Sequence, residues 1–153
     1  MRIFLAAAML LILGGCSAIP ADPDDTLERV TGDTLRVGVS PNPPWTDLPE
    51  GTSGAPVGVE VDLVNAFADT LDADVQWVPG GEEALIGQLE RGQVHLVIGG
   101  LTADSPWQQM AGLTRPHAQA VDSAGDQVAM VMAVPAGENA FLVALERFLL
   151  ERS

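Results

Sequence analysis

The chain has 153 residues, 21 acidic against 7 basic, a formal net charge of -14 and one cysteine. Such an acidic surface repels nucleic acid and anionic lipid headgroups, which excludes polyanion binding as its business, and a lone cysteine excludes an internal disulfide. All of the basic residues are arginines, and no lysine is present.

Met1-Arg2 is a short positive start, and Ile3 to Leu13 is an unbroken apolar run closed by Gly14-Gly15-Cys16. A run this short falls below the roughly 18 to 20 apolar residues that span a bilayer, and it has the n-region and h-region of a secretion signal. We therefore expect residues 1–15 to be removed. The small residues before the cysteine resemble a bacterial lipoprotein signal, which implies an acylated (palmitate-bearing) Cys16 at the new N-terminus. Ser17 after the cysteine, in place of an aspartate, points to the outer rather than the inner membrane. Residues 16–34, rich in proline and aspartate, are expected to tether the lipid to a single domain over residues 35–153.

Within that domain, Leu35 to Val39 alternates as a first strand, and Ser40-Pro41-Asn42-Pro43-Pro44-Trp45 ends it. Val59, Leu63, Val64, Phe67 and Leu71 recur at helical spacing. Val75 to Val78 is a short strand, and Glu82 to Arg91 is a second helix with Gly92 at its C-terminal cap. The nearly continuous apolar Val94 to Ile98 reads as a central strand covered on both faces. Beyond it Gly99-Gly100 opens a loop, Asp104 to Met110 forms a short helix, and Ala118 to Val121 and Gln127 to Val134 are strands around a turn at Asp122 to Asp126. Ala140 to Leu150 closes the domain with Phe141, Leu145, Phe148 and Leu149 as its buried stripe. Strands alternating with helices predict an α/β fold, a mostly parallel central sheet with helices on both faces.

In open sheets of this kind a ligand lies beyond the carboxyl ends of the strands. Trp45, stiffened by neighbouring prolines, would stack on a planar or apolar group there, and Trp107 is a second such ring. Because both follow strand ends, the two rings are expected to face one crevice, as ligand contacts or as lids over the sheet. Gly99, Gly100 and Thr102 would offer backbone N–H groups and a hydroxyl to a ligand oxygen. Alternatively Asp104 simply caps the following helix, with Pro106 in its first turn. Glu60 and Asp62 read as ordinary acids of a first helical turn.

Catalysis finds no support in the motifs. His95, His117 and Cys16 lack the spacing of metal ligands, no G-x-S-x-G elbow is present, and Gly99-Gly100 lacks the later glycine and the lysine of a phosphate loop. We expect no metal, no cofactor and no enzyme activity.

Taken in order, Leu35 to Ser40, Pro43-Pro44-Trp45, Gly58 to Leu63, the Leu85 to Leu89 helix, Val94 to Thr102 and Leu113-Thr114-Arg115-Pro116-His117 resemble the extracellular solute-binding proteins of family 3. These are periplasmic binding proteins (type 2) of polar amino acid ABC transporters. The resemblance implies lobe one of a two-lobed protein, with Trp45 as the ligand-facing aromatic and Gly99 to Thr102 as the ligand loop. Where the family carries an arginine for the ligand carboxylate, this chain has Trp107. Its second lobe is reduced to the turn at Asp122 to Asp126.

The resulting reading is a lipid-anchored periplasmic module that binds a small solute for a membrane permease or sensor of an ABC-type system. Two alternatives stand beside it. One is a noncatalytic interaction or scaffold lipoprotein, and the other an enzyme related to cyclohexadienyl dehydratase with Asp62 or Asp104 as its acid.

Overall fold

A computed structural model describes residues 22–49 and 55–152. The expected leader, Cys16 and the first part of the tether lie outside them. Eleven elements follow one another: α1 (Thr26–Val30), β1 (Thr34–Val39), α2 (Val59–Thr70), β2 (Asp74–Pro79), α3 (Glu82–Glu90), β3 (Leu96–Thr102), a 3-10 turn (Pro106–Gln109), β4 (Ala111–Leu113), β5 (Ala118–Val121), β6 (Gln127–Pro135) and α4 (Asn139–Leu150). The main sheet runs β2-β1-β3-β6-β4, with β5 also paired to β6.

This is the α/β class expected, a single domain whose central sheet is flanked by helices on both faces. Its parallel part is confined to β2-β1-β3, each step crossing over through a helix. From β6 onward the pairing is antiparallel, with β4 and β5 lying one after the other along the same edge of β6.

Alternation along the strands sorts the core into two layers. Leu35, Val37, Val39, Leu96, Ile98, Met132 and Val134 are buried with Val61, Val64 and Phe67 of α2 and Phe141, Leu145, Phe148 and Leu149 of α4. The stripe expected on the last helix is thus its buried face. Phe67 anchors the layer, with ring centroids 5.9 Å from Phe141 and 5.4 Å from Phe148. On the other face Val97, Leu101, Val131 and Ala133 pack against Leu85, Ile86 and Leu89 of α3. Gly38 lets α3 come close, since a Cβ there would lie 3.0 Å from Leu85 Cδ2.

Two local expectations change. The helix after β3 is a short 3-10 turn, and its cap is Ser105 rather than Asp104: the Ser105 hydroxyl accepts the Trp107 N–H at 3.4 Å. Ser105 is buried and Asp104 exposed, so the serine lies where the orphan N–H groups point. The stretch expected as a tether is, from Asp22 on, part of the folded domain. Asp24 and Thr26 donate their N–H groups to the two oxygens of buried Glu138 at 2.8 and 2.7 Å, and Asp22 donates to the Gly137 carbonyl at 3.1 Å. Its acids take structural places: Asp22 Oδ1 accepts the Ala140 N–H at the start of α4, and Asp33 Oδ1 accepts the Thr34 N–H, so composition alone does not make it a linker.

Glu138 and His95 tie this fold to pH in the same direction. Burial raises the Glu138 pKa, but hydrogen bonds from Asp24 and Thr26 and the charge of Arg29 outweigh it and hold the carboxyl below its ordinary value. A carboxyl depressed in the folded state stabilises above its unfolded pKa, and that contribution is lost as pH falls through the folded value. His95 is lowered to about 4, chiefly by burial and then by Arg36 and Arg29. Between about 4 and its ordinary 6.5 the unfolded chain binds the proton that the folded chain refuses, so stability falls with acidification there as well. Urea unfolding followed from pH 7 to pH 4 is expected to show a steady loss of stability. Glu138→Gln, which forfeits one charged acceptor for two N–H donors, is expected to cost about 1–3 kcal/mol at pH 7 and to flatten the acid limb.

Candidate functional site

The turn after β1 is built by its own hydrogen bonds. Asn42 N–H reaches the Thr46 carbonyl at 2.8 Å, Trp45 N–H the Asn42 carbonyl at 2.9 Å, and the Thr46 hydroxyl the Ser40 carbonyl. The Pro43-Pro44 peptide is cis. This turn sits on the start of α2, where Val59 and Glu60 donate their N–H groups to the Pro44 and Trp45 carbonyls at 3.2 and 3.0 Å. Gly58 must be glycine, since its φ is +135° and a Cβ would lie 2.4 Å from the Trp45 oxygen.

Glu60 then binds the turn to the sheet. It is fully buried, and its Oε2 accepts the N–H groups of both Gly99 and Gly100 at 2.9 Å. Its Oε1 lies 3.2 Å from His117 Nε2, a side chain also shut away from solvent. The His117 ring stands edge-on to Trp45, with centroids 6.1 Å apart and planes at 86°. Asn42 Nδ2 closes the circuit by donating to the Gly99 carbonyl at 2.9 Å. Gly99 and Gly100 do not begin a loop; they form a bulge within β3, where its pairing with β6 slips between Val97 and Leu101.

Beyond this cluster opens a crevice of about 570 Å³ lined by the Asn42 to Trp45 turn, Gly100, Thr102, the β5-β6 hairpin from Gln119 to Ser123, Val128 and Met130. Its size falls within the range of small-molecule sites. Asp122 is the one charged residue among those that line it.

The residues singled out in the sequence therefore part company. Trp45, Gly100 and Thr102 line the crevice together. Gly99 sits just behind, pressed against Ser40. The N–H groups of Gly99 and Gly100, expected to face a ligand, are already taken by Glu60. Trp107 lies on the other side of the sheet, against the layer of Leu85, Leu101 and Val131, and its indole N–H donates to the Glu82 carboxylate that opens α3. The two indoles do not share the crevice. Of the acids considered for catalysis, Asp104 is exposed, and Asp62 lines a separate groove with Leu63, Leu149 and Arg152. Among the described residues no group of three or more acids, histidines or cysteines is placed to hold a metal, and no helix is long and apolar enough to cross a membrane.

Glu60 and His117 were the residues missed. The only trace in the sequence was an acid directly after the Gly58-Val59 start of a helix, and its orientation toward Gly99 depends on where β3 comes to lie.

A sheet of this topology with an open crevice at the carboxyl ends of its parallel strands is the architecture of a ligand-binding lobe. The family follows from the sequence match: residues 35–151 fit the bacterial extracellular solute-binding proteins, family 3, and the chain belongs to that family. The family is described as one of extracellular solute-binding proteins. Among solved structures, the arginine-bound form of domain 1 from TmArgBP is similar at 25% identity and a TM-score of 0.69, over 84% of this chain and 98% of that one. An ancestral amino acid-binding protein described as a precursor of cyclohexadienyl dehydratase is similar at 16% identity and a TM-score of 0.68, over 84% and 91%. A periplasmic binding protein of Salmonella typhimurium with high arginine specificity shares 12% identity and a TM-score of 0.66, over 78% and 92%. These last two show the fold alone. No curated protein matches the sequence.

Removing the Glu60 carboxylate would strand two buried N–H groups and His117 together. Glu60→Ala is expected to lower the unfolding free energy by about 3 kcal/mol or more, and to shift Trp45 emission to the red in a variant whose other tryptophans are phenylalanine. Unfolding with unchanged Trp45 emission in the native baseline would show that Glu60 does not hold the turn.

Proposed function

We propose that this protein is an extracytoplasmic, lipid-anchored solute-binding module of an ABC-type transport or sensing system. The reading is carried by the open crevice of Trp45, Thr102 and the β5-β6 hairpin at the carboxyl end of a lobe that belongs to a solute-binding family. Anchoring rests on the leader and Cys16, with the outer membrane favoured by Ser17. A membrane permease or sensor is the partner to which the solute is delivered.

The lining chooses among solutes. An amino acid held by its α-carboxylate needs a cation, and the crevice offers an indole, a hydroxyl, amide groups and the carboxylate of Asp122. A small neutral or cationic solute fits that set, with a cationic group over the Trp45 face or beside Asp122. One lobe is enough to meet a ligand in this fold, since domain 1 from TmArgBP is described in an arginine-bound form. Because the crevice borders one sheet edge and is open on its far side, the complex is expected to be weak.

A protein partner is the second reading. Val121 on the rim is 66% exposed beside Pro43, Pro44 and Val128, an apolar margin that another chain would cover. An enzyme is the least favoured, because neither Asp62 nor Asp104 lines the crevice and Glu60 is committed to the glycines.

The deciding experiment titrates a soluble fragment of residues 17–153 with organic cations, amino acids and small neutral solutes, reading tryptophan emission while solution mass is followed. A saturable change from a monomer, weakened about tenfold by Trp45→Phe and untouched by Trp107→Phe, is the expected result. Silence across the panel together with a stable dimer would sink the solute reading in favour of protein docking.

A further inference from the structure

At the opposite end of the sheet from the crevice, Arg29, Asp33, Thr34, Arg36, Gln76 and His95 line a polar pocket of about 350 Å³. Arg36 and Gln76 are register partners on β1 and β2, and the His95 N–H donates to the Arg36 carbonyl at 2.8 Å, so the sheet itself fixes three of these residues. The Arg36 side chain is aimed by backbone oxygens. Its Nε donates to the Gln93 carbonyl at 2.7 Å and its Nη2 to the Gly92 carbonyl at 3.1 Å, both just after α3. Nη2 also lies 2.8 Å from His95 Nε2, while the Arg36 N–H reaches His95 Nδ1 at 3.2 Å.

The lining carries two arginines against one acid, in a chain of 21 acids and 7 bases. Among the described residues the ion pairs involve Arg115 with Glu146 and His117 with Glu60, so Arg29 and Arg36, like Arg91, Arg147 and Arg152, have no described carboxylate within 4.0 Å. Asp33, the one acid in the lining, spends Oδ1 on the Thr34 N–H at 2.6 Å. Arg29, Arg36, Thr34 and Gln76 thus line one concavity that holds two guanidinium groups against one carboxylate.

We propose that this pocket is a binding site for a small oxyanion of the phosphate or sulfate class, held by Arg29 and Arg36 with Thr34 and Gln76 completing its hydrogen bonds. Tetrahedral oxyanions suit it because guanidinium groups donate in parallel pairs to neighbouring oxygens. His95 couples the site to protons. Facing it are the guanidinium groups of Arg36 and Arg29 and the carboxylate of Asp33, and burial first, then the excess of positive charge over that one acid, keeps its ring neutral at ordinary pH. A bound anion offsets part of that excess, so the ring takes up a proton more readily when the pocket is filled, and by linkage sulfate, whose charge is constant in this range, binds more tightly as pH falls toward about 4.

The test uses the same 17–153 fragment, which contains the whole described domain, with inorganic phosphate and sulfate as probes against sodium chloride at matched ionic strength. The His95 ring is followed by NMR through a pH titration, with and without anion. Expected are a saturable shift of the His95 resonances, an upward displacement of its titration midpoint from about 4 in the presence of sulfate, and about tenfold weaker binding in Arg29→Gln. Arg29 is exposed on α1, so this variant keeps the fold. Arg36→Gln tests the second arm where it folds. A His95 ring that ignores both anions, or a response equal in wild type and Arg29→Gln, overturns the proposal and leaves Arg36 as a purely structural brace for the end of α3.

Discussion

A carboxylate placed out of water needs donors supplied by the protein, and Glu60 obtains them from parts of the chain that are distant in sequence. Its own N–H group is capped by the Trp45 carbonyl, its Oε2 takes the two glycine N–H groups of the β3 bulge, and its Oε1 faces His117 at the entrance to β5. The aromatic turn, the glycine bulge and the start of the hairpin are thereby fixed to the first turn of α2. Each of those segments is irregular and would otherwise be costly to order. The positive end of the helix dipole lies at the same place and favours the negative charge there.

The consequence for binding is that the glycines serve geometry and not recognition. Gly100 lies so close to the turn that a Cβ would meet Asn42 Nδ2 at 2.3 Å and Trp45 Cδ1 at 2.9 Å. Because their N–H groups are committed to Glu60, the proposed solute contacts are the Trp45 ring, the Thr102 hydroxyl and the hairpin. Arginine is absent from the lining, and Trp107 packs in the far layer with its indole N–H on the Glu82 carboxylate.

The hairpin gives the lobe its one-sided character. β5 and β6 are joined by the turn at Asp122 to Asp126, with Asp122 Oδ1 accepting the Ala124 and Asp126 N–H groups at 2.9 Å. A short, self-bonded turn stands here, and it borders the crevice rather than enclosing it. The crevice and the arginine pocket consequently occupy opposite ends of the same sheet, separated by the buried strands.

Periodicity alone fixed most of the elements, because a pattern of apolar residues reports which face will be buried whatever it is buried against. The α4 stripe of Phe141, Leu145, Phe148 and Leu149, the α3 face and the doubly covered Leu96 to Ile98 were all legible for this reason, as was the Pro43-Pro44-Trp45 turn. What the pattern could not show was direction. Whether Glu60 pointed to water or into the bulge, whether Gly99-Gly100 left the sheet or buckled within it, and whether Trp107 shared a crevice with Trp45 all depended on which segments came together. The same holds for Arg36, Gln76 and His95, which meet only through strand register. Local spacing encodes burial, while the pairing of charge with distant backbone donors is decided only when the strands are in place.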